Sequence, residues 1–93
     1  MSEYVPSSQI GTSVYLMPAG PLATAEVCSQ FRAAIADCLA SGQLHLIVDM
    51  EQVSQIGGQA LEILLDTSLS VGLSGGSLRI VNPTALVRHV LVA

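Results

Sequence analysis

The chain contains no lysine, and its only arginines, Arg32, Arg79 and Arg88, are scattered. Nucleic-acid binding needs a clustered basic footprint, and an anionic bilayer surface recruits the same kind of cluster. With a formal net charge of −4, the sequence excludes both. Charged residues of either sign make up only 11%, less than half the usual share of about a quarter. A chain so poor in charge leaves much of its surface neutral or covered by a partner. No apolar run approaches the roughly 18 residues that a bilayer span requires. The start, Met1-Ser-Glu-Tyr4, is acidic and polar, unlike the basic n-region of a secretory signal. The cytoplasm is therefore the expected compartment, with no direct membrane insertion. Cysteine is scarce as well. Cys28 and Cys38 fall on one expected helix, about 15 Å apart along its axis. A disulfide needs Cα atoms within about 7 Å, so the two cannot bridge each other. Both are read as small buried hydrophobes.

What is present is a folded chain's share of apolar residues, 51% of 93. A single domain, 1–93, follows from that length, able to bury about two-thirds of its unfolded surface without staples. Its centre is Leu46 to Leu65. A β-rich run, Leu44 to Val48, leads into a polar turn, Asp49 to Gln55. After Gly57-Gly58 the apolar spacing turns helical. Gln59, Glu62, Asp66 and Ser70 recur every three or four positions, and Leu61, Leu64, Leu65 and Val71 are expected on the inward side.

The flanking segments extend this pattern. Val5 to Ile10 reads as a short strand confined to a sheet edge by Pro6. Gly11-Thr12 turns it into a second strand, Ser13 to Met17, which completes a hairpin and stops at Pro18 and Pro21. Thr24 is the expected N-cap of a first helix, with Glu26 suited to its first turn. Val27, Cys28, Phe31, Ile35, Cys38 and Leu39 form its apolar face, and Gly42 ends it. The second helix is expected from Gly58 to Val71, stopping at Gly72. Ser77 to Val81 reads as another strand. Asn82 and Pro83 are the expected cap and first turn of a third helix. Hairpin, helix, strand, helix, strand, helix implies an α/β fold. The sheet is mixed, of four to five strands, with an N-terminal antiparallel hairpin and about three helices.

Little chemistry is on offer. No Gly-x-Ser-x-Gly elbow exists, and His45 and His89 both sit in apolar runs, against nucleophilic hydrolysis. His45 is expected at the solvated start of its strand. The two histidines have no paired carboxylates and make a poor metal site. Asp49 and Glu51 read as a solvated loop in which Asp49 bonds turn amides. Gly57-Gly58 at a helix start resembles the opening of a phosphate cradle. A P-loop, however, needs a lysine after its glycines. The dinucleotide pattern needs a third glycine, whereas positions 59–62 are Gln-Ala-Leu-Glu. The plainer reading is that two glycines let the loop turn sharply and come close to a neighbouring backbone, leaving a smooth patch suited to protein contact. No catalytic residue, cofactor or metal is expected, and no enzyme. A small nucleotide-binding protein is the alternative from outside that class.

Ile47-Val-Asp-Met-Glu-Gln-Val-Ser-Gln-Ile-Gly-Gly-Gln-Ala-Leu-Glu-Ile-Leu-Leu65 resembles the signature of STAS domains, the fold of bacterial anti-sigma factor antagonists. That signature runs apolar strand, short polar turn, Val-x-x-Ile, then Asp-Ser-x-Gly and an apolar helix. Most of the chain falls where the family has elements. In the phosphorylated members a kinase modifies the serine after the motif Asp. By register Gly57 takes the Asp position, Gly58 the phospho-acceptor position, and Ala60 replaces the motif Gly. A glycine has no hydroxyl, and Ser54, the nearest one, lies four residues early. The family switch, roughly two negative charges placed at this surface, is therefore expected to be missing. Family members also usually continue past the third helix.

The resemblance implies a non-catalytic cytoplasmic interaction module in bacterial signal transduction. Its expected docking surface is Ser54, Gln55, Gly57 and Gly58 with Gln59, Glu62 and Asp66. The implied partner is an anti-sigma or histidine-kinase-like signalling protein, and Gly-Gly-Gln-Ala-Leu is similar to small members beside chemotaxis-type proteins. The alternative is the STAS subunit of a lipid-transport ABC complex, which binds the ATPase subunit. A third helix that stops at Ala93 is expected to expose Val87, Val90 and Leu91, leaving room for a homodimer.

Overall fold

A computed structural model describes residues 5–91; the polar start Met1–Tyr4 and the terminal Ala93 of the sequence reading lie outside the described residues. Among those residues the elements run β1 (Ser7–Ile10), β2 (Ser13–Leu16), α1 (Ala25–Ala40), β3 (His45–Asp49), α2 (Gly58–Leu73), β4 (Ser77–Val81) and α3 (Ala85–Leu91). The sheet has four strands, not five, in the order β1-β2-β3-β4. β1 pairs antiparallel with β2, because Gly11, in the left-handed region at φ 61°, turns the chain straight back. The next two pairings are parallel, as strands separated by a helix must be to return over the same face. Pro6 lies just outside β1, where its missing N–H interrupts no ladder; its carbonyl accepts from the Met17 amide at 2.9 Å.

One face of the sheet carries the core. Val14 and Leu16, Leu46 and Val48, Leu78 and Ile80 stand in register across β2, β3 and β4. They pack with Cys28, Phe31 and Ile35 of α1, with Ala60, Ile63, Leu64 and Val71 of α2, and with Val87 of α3. The opposite face, Ser13, Tyr15, His45, Ile47, Arg79 and Val81, is half-buried or exposed. Three helices on one side of an open sheet make two layers. His45 begins β3 half-buried, its Nδ1 3.1 Å from Ser77 Oγ. Cys28 is buried as expected; Cys38 is only half-buried, and burial first, with Asp37 second, pushes its thiol pKa up.

Thr24 caps α1 through its Oγ1, which accepts from the Val27 amide at 3.2 Å. Gly42 ends it at φ 82° with the Gln43 amide bonded to Cys38 O, a Schellman closure. α2 closes the same way, two residues later than the sequence reading. The helix passes through Gly72 and ends where Gly75 turns left-handed at φ 85° and the Gly76 amide bonds Val71 O. Gly76 is also sterically required: a Cβ there would stand 2.1 Å from the Leu44 carbonyl oxygen.

Three further expectations are overturned. Leu65 is 65% exposed, because α2 carries more apolar side chains than one buried stripe can take. The cap of α3 is Thr84, whose Oγ1 accepts from the Val87 amide at 3.4 Å; Asn82 turns left-handed at φ 54° and cannot cap. The three α3 residues expected to be bare are covered: Val87 is fully buried, and Val90 and Leu91 are half-buried between α2 and β4, while Leu86 is 56% exposed.

Candidate functional site at the start of the second helix

The loop from Met50 to Gly57 leaves the carboxyl end of β3, where open α/β sheets place their ligands. It is anchored from below. Met50 and Val53 are fully buried, and the Met50 amide bonds Val81 O at 2.9 Å. The β2–α1 loop is zipped alongside. Gly20 N–H donates to Gln52 O at 2.8 Å, Leu22 N–H to Gln55 O at 2.9 Å, and Gly57 N–H to Leu22 O at 2.9 Å, around a bridge between Leu22 and Ile56. From the third side Thr84 Oγ1 donates to Val53 O at 3.3 Å. The joint is thus held by both neighbouring loops before anything binds.

Asp49, the last residue of β3, ties the same edge together. Its carboxylate accepts the Tyr15 hydroxyl from β2, the Glu51 amide at 2.9 Å, and Asn82 Nδ2 at 3.4 Å from beyond β4. The turn-amide bond is the one read from the sequence. The solvated setting is not: Asp49 is buried, because the ends of three adjacent strands close over it. The Tyr15 hydroxyl, then the Glu51 amide and Asn82, hold its carboxyl below the ordinary value of 3.8 against the opposing effect of burial. The same bond, with burial and the charges of Asp49 and Glu51, raises the Tyr15 hydroxyl above 10.0.

The sequence-selected residues lie along one surface. Ser54 and Gln55 are exposed on the loop, Gly57 is the half-buried N-cap, and Gly58 opens the helix exposed. Gln59, Glu62 and Asp66 continue along one exposed flank of α2. The expected reason for the glycines is corrected. Neither has a positive φ, and Gly57 is extended at φ −102°. A Cβ on Gly57 would touch Ala23 at an ordinary 3.4 Å, and one on Gly58 would meet nothing within 4 Å. Backbone geometry therefore demands neither glycine. The phosphate-cradle idea also weakens, since the Gly57 amide is already spent on Leu22 O.

Leu65, Leu69 and Leu73, 65, 66 and 90% exposed, were missed. Their four-residue spacing, in a helix with five leucines, was the available signal. Tyr15 and Asn82 gave none, since only the strand order brings them to Asp49. Among the described residues no group of three or more His, Cys, Asp or Glu could hold a metal ion, and no helix is long and apolar enough to cross a membrane.

The fold defines a class: a two-layer α/β domain with a mixed four-stranded sheet and three helices. The model of the STAS domain family matches residues 4–93, and the chain belongs to that family. Among solved structures it is similar to a candidate anti-sigma factor antagonist from Thermotoga maritima, at 25% identity and a TM-score of 0.88, over 97% of this chain and 77% of that one. It is also similar to the anti-sigma factor antagonist SpoIIAA in its unphosphorylated form, at 19% identity and a TM-score of 0.78, over 95% and 81% of the two chains. SpoIIAA, a Bacillus cell fate determinant, has been solved in a phosphorylated form too, which matches equally well, at 19% and 0.78 over 95% and 80%. The protein Mglu shares the fold at 15% identity and a TM-score of 0.74, over 90% of this chain but 21% of its own. No curated protein sequence matches.

Proposed function

We propose that the chain is a non-catalytic protein-interaction module of bacterial cytoplasmic signalling, which docks its partner at Ser54 to Gly58 and along Gln59, Glu62 and Asp66 without a phosphate switch. One observation carries this reading. The joint is locked by hydrogen bonds from both sides, yet its outermost residue, Gly58, is exposed with open space around it. A rigid loop with a bare tip loses little conformational entropy when a partner covers it. The family resemblance gives Gly58 the position at which phosphorylated members carry serine, and glycine offers no hydroxyl. Glu51, Glu62 and Asp66, all exposed around the joint, favour a partner whose facing surface is basic. Anti-sigma and histidine-kinase-like proteins, including those of chemotaxis-type pathways, are the partners this reading names.

Affinity capture from lysate tests it. Binding should survive phosphatase treatment of the bait and fall at least tenfold in Gly58→Glu, which keeps the fold because a Cβ at this exposed position meets nothing within 4 Å. Undiminished binding by Gly58→Glu would place docking elsewhere. Capture of a transporter ATPase subunit would replace the signalling partner with a transport one.

A further inference from the structure

The outer face of α2 holds more than the carboxylates of the docking surface. At about 100° per residue, Leu65, Leu69, Glu62, Leu73 and Asp66 follow one another within an arc of about 100°. They lie opposite the buried Ala60, Ile63, Leu64, Thr67 and Val71. Leu65, Leu69 and Leu73 are 65, 66 and 90% exposed, and Glu62 and Asp66 are exposed among them. An exposed apolar patch of this kind marks an interaction site. No cation shares the helix: Arg32 lies on α1, Arg79 on β4 and Arg88 on α3.

Shape and charge together name the occupant. The exposed residues form two rows at four-residue spacing, Leu65-Leu69-Leu73 and Gly58-Glu62-Asp66-Ser70. Such rows are ridges, and a second helix seats its own ridges in the groove between them, crossing at about −50°. An extended segment would need an open sheet edge, which a helix lacks. The leucines call for an apolar stripe on the incoming helix. The carboxylates beside them, with Glu51 on the adjoining loop, call for lysine or arginine flanking that stripe. The same carboxylates repel an anionic bilayer, and a second copy brings carboxylates but no cation on its own α2. Resting on the docking surface proposed above, we infer that the partner binds α2 with a basic amphipathic helix. Its apolar stripe covers Leu65, Leu69 and Leu73, and its basic flank faces Glu62 and Asp66.

Fluorescence anisotropy with three labelled peptides tests this. Each is about 18 residues long, enough to hold a helix once bound. The first carries a leucine stripe flanked by lysine and arginine. The second has glutamate at every basic position, and the third has the composition of the first with the stripe scrambled. The full chain should bind the first, and the other two at least tenfold more weakly. Leu69→Ser should weaken the first peptide at least tenfold while keeping the wild-type far-UV circular dichroism. The double variant Glu62→Gln/Asp66→Asn should weaken it severalfold and flatten its salt dependence. No binding of the first peptide, equal binding of the second or third, or undiminished binding by Leu69→Ser would overturn the proposal. So would a wild type that sediments as a dimer and a Leu69→Ser chain that does not, since the face would then belong to a second copy. Gly58→Glu is read separately, by partner capture: undiminished capture there sinks the docking site at the joint, whereas undiminished peptide binding by Leu69→Ser sinks only the helix on the leucines.

Discussion

The two long helices invite comparison, because their architecture is so nearly the same. Each has sixteen residues, each follows a parallel-strand loop, each packs on the same sheet face, and each closes on a left-handed glycine. They differ in what they leave unfinished. α1 starts on a side-chain cap from Thr24, and its exposed positions are Glu26, Ser29, Arg32, Asp37 and several alanines. α2 starts on Gly57 with no side-chain cap and exposes three leucines. Helix α1 is complete as a structural part. Helix α2 has an unsatisfied start and an unsatisfied outer face, as expected of an element that something else completes.

Substitutions of large side chains should break the symmetry most strongly. Phe31 on α1 is fully buried, and Phe31→Ala should cost about 3–5 kcal/mol through lost transfer energy and the cavity left behind. Leu69→Ser on α2 should change stability by no more than about 0.5 kcal/mol, because an exposed side chain leaves no cavity. Urea denaturation of both variants, with no partner present, checks the contrast. A Leu69→Ser loss comparable with that of Phe31→Ala would mean that α2 packs its outer face inside a single chain. The caps should separate by a smaller step. Thr24→Ala should lower stability by about 1 kcal/mol, whereas α2 has no cap interaction to lose.

This contrast also explains what was legible in the sequence. α1 was read correctly at both ends, Thr24 and Gly42, and on its apolar face apart from the half-buried Cys38, because its polar and apolar residues separate cleanly at helical spacing and both termini carry ordinary signals. α2 was read correctly at its start, Gly58, on its polar flank of Gln59, Glu62, Asp66 and Ser70, and for the inward Leu64 and Val71. Its leucines cover about half the circumference and Ala60, Ile63 and Val71 much of the rest, so spacing could not say which leucines would be buried, and Leu65 was assigned inward. Gly72 looked like a stop because glycine often is one. The stop proved to be Gly75, where the next residue, Gly76, lies against Leu44, a contact that no local pattern contains. The fold class survived these errors because alternation of strand and helix sets it, not any one boundary. At the site, the loop was legible and its anchoring was not. Asp49 finds Tyr15 and Asn82 only because β2, β3 and β4 end side by side.

That anchoring should have a signature in pH, which probes the sheet edge below α2 independently of the helix. The Asp49 carboxyl titrates below its ordinary 3.8 in the folded chain. Its contribution is therefore present above that value and is lost as pH falls below it, through the depressed folded-state value. Tyr15 has the opposite sign. Its hydroxyl is raised above 10.0, so its contribution is complete below that value and fades as pH climbs through the raised one. Tyr15→Phe removes the shared bond. The urea midpoint of this variant should fall less steeply than that of the wild type on both the acid and the alkaline side. Parallel profiles would mean that the bond does not hold the loop edge in solution.

The smallest expected effect bears most directly on why α2 is left bare. Gly57 is an N-cap in extended backbone, φ −102° and ψ 175°, the conformation in which aspartate caps best. A Cβ there meets Ala23 only at van der Waals distance. Gly57→Asp should therefore fold normally. Its carboxylate would accept from a first-turn amide and meet the positive end of the helix dipole, together raising stability by about 0.5 kcal/mol. The same variant adds a charge and a side chain to the proposed contact surface, so partner capture should weaken while the urea midpoint rises. Stability and binding moving in opposite directions would show that the missing cap is retained for contact, because the fold alone would be better served by aspartate. A destabilised Gly57→Asp would mean instead that the joint is packed too tightly for a side chain. α2 would then begin bare for the same steric reason that Gly76 follows its end.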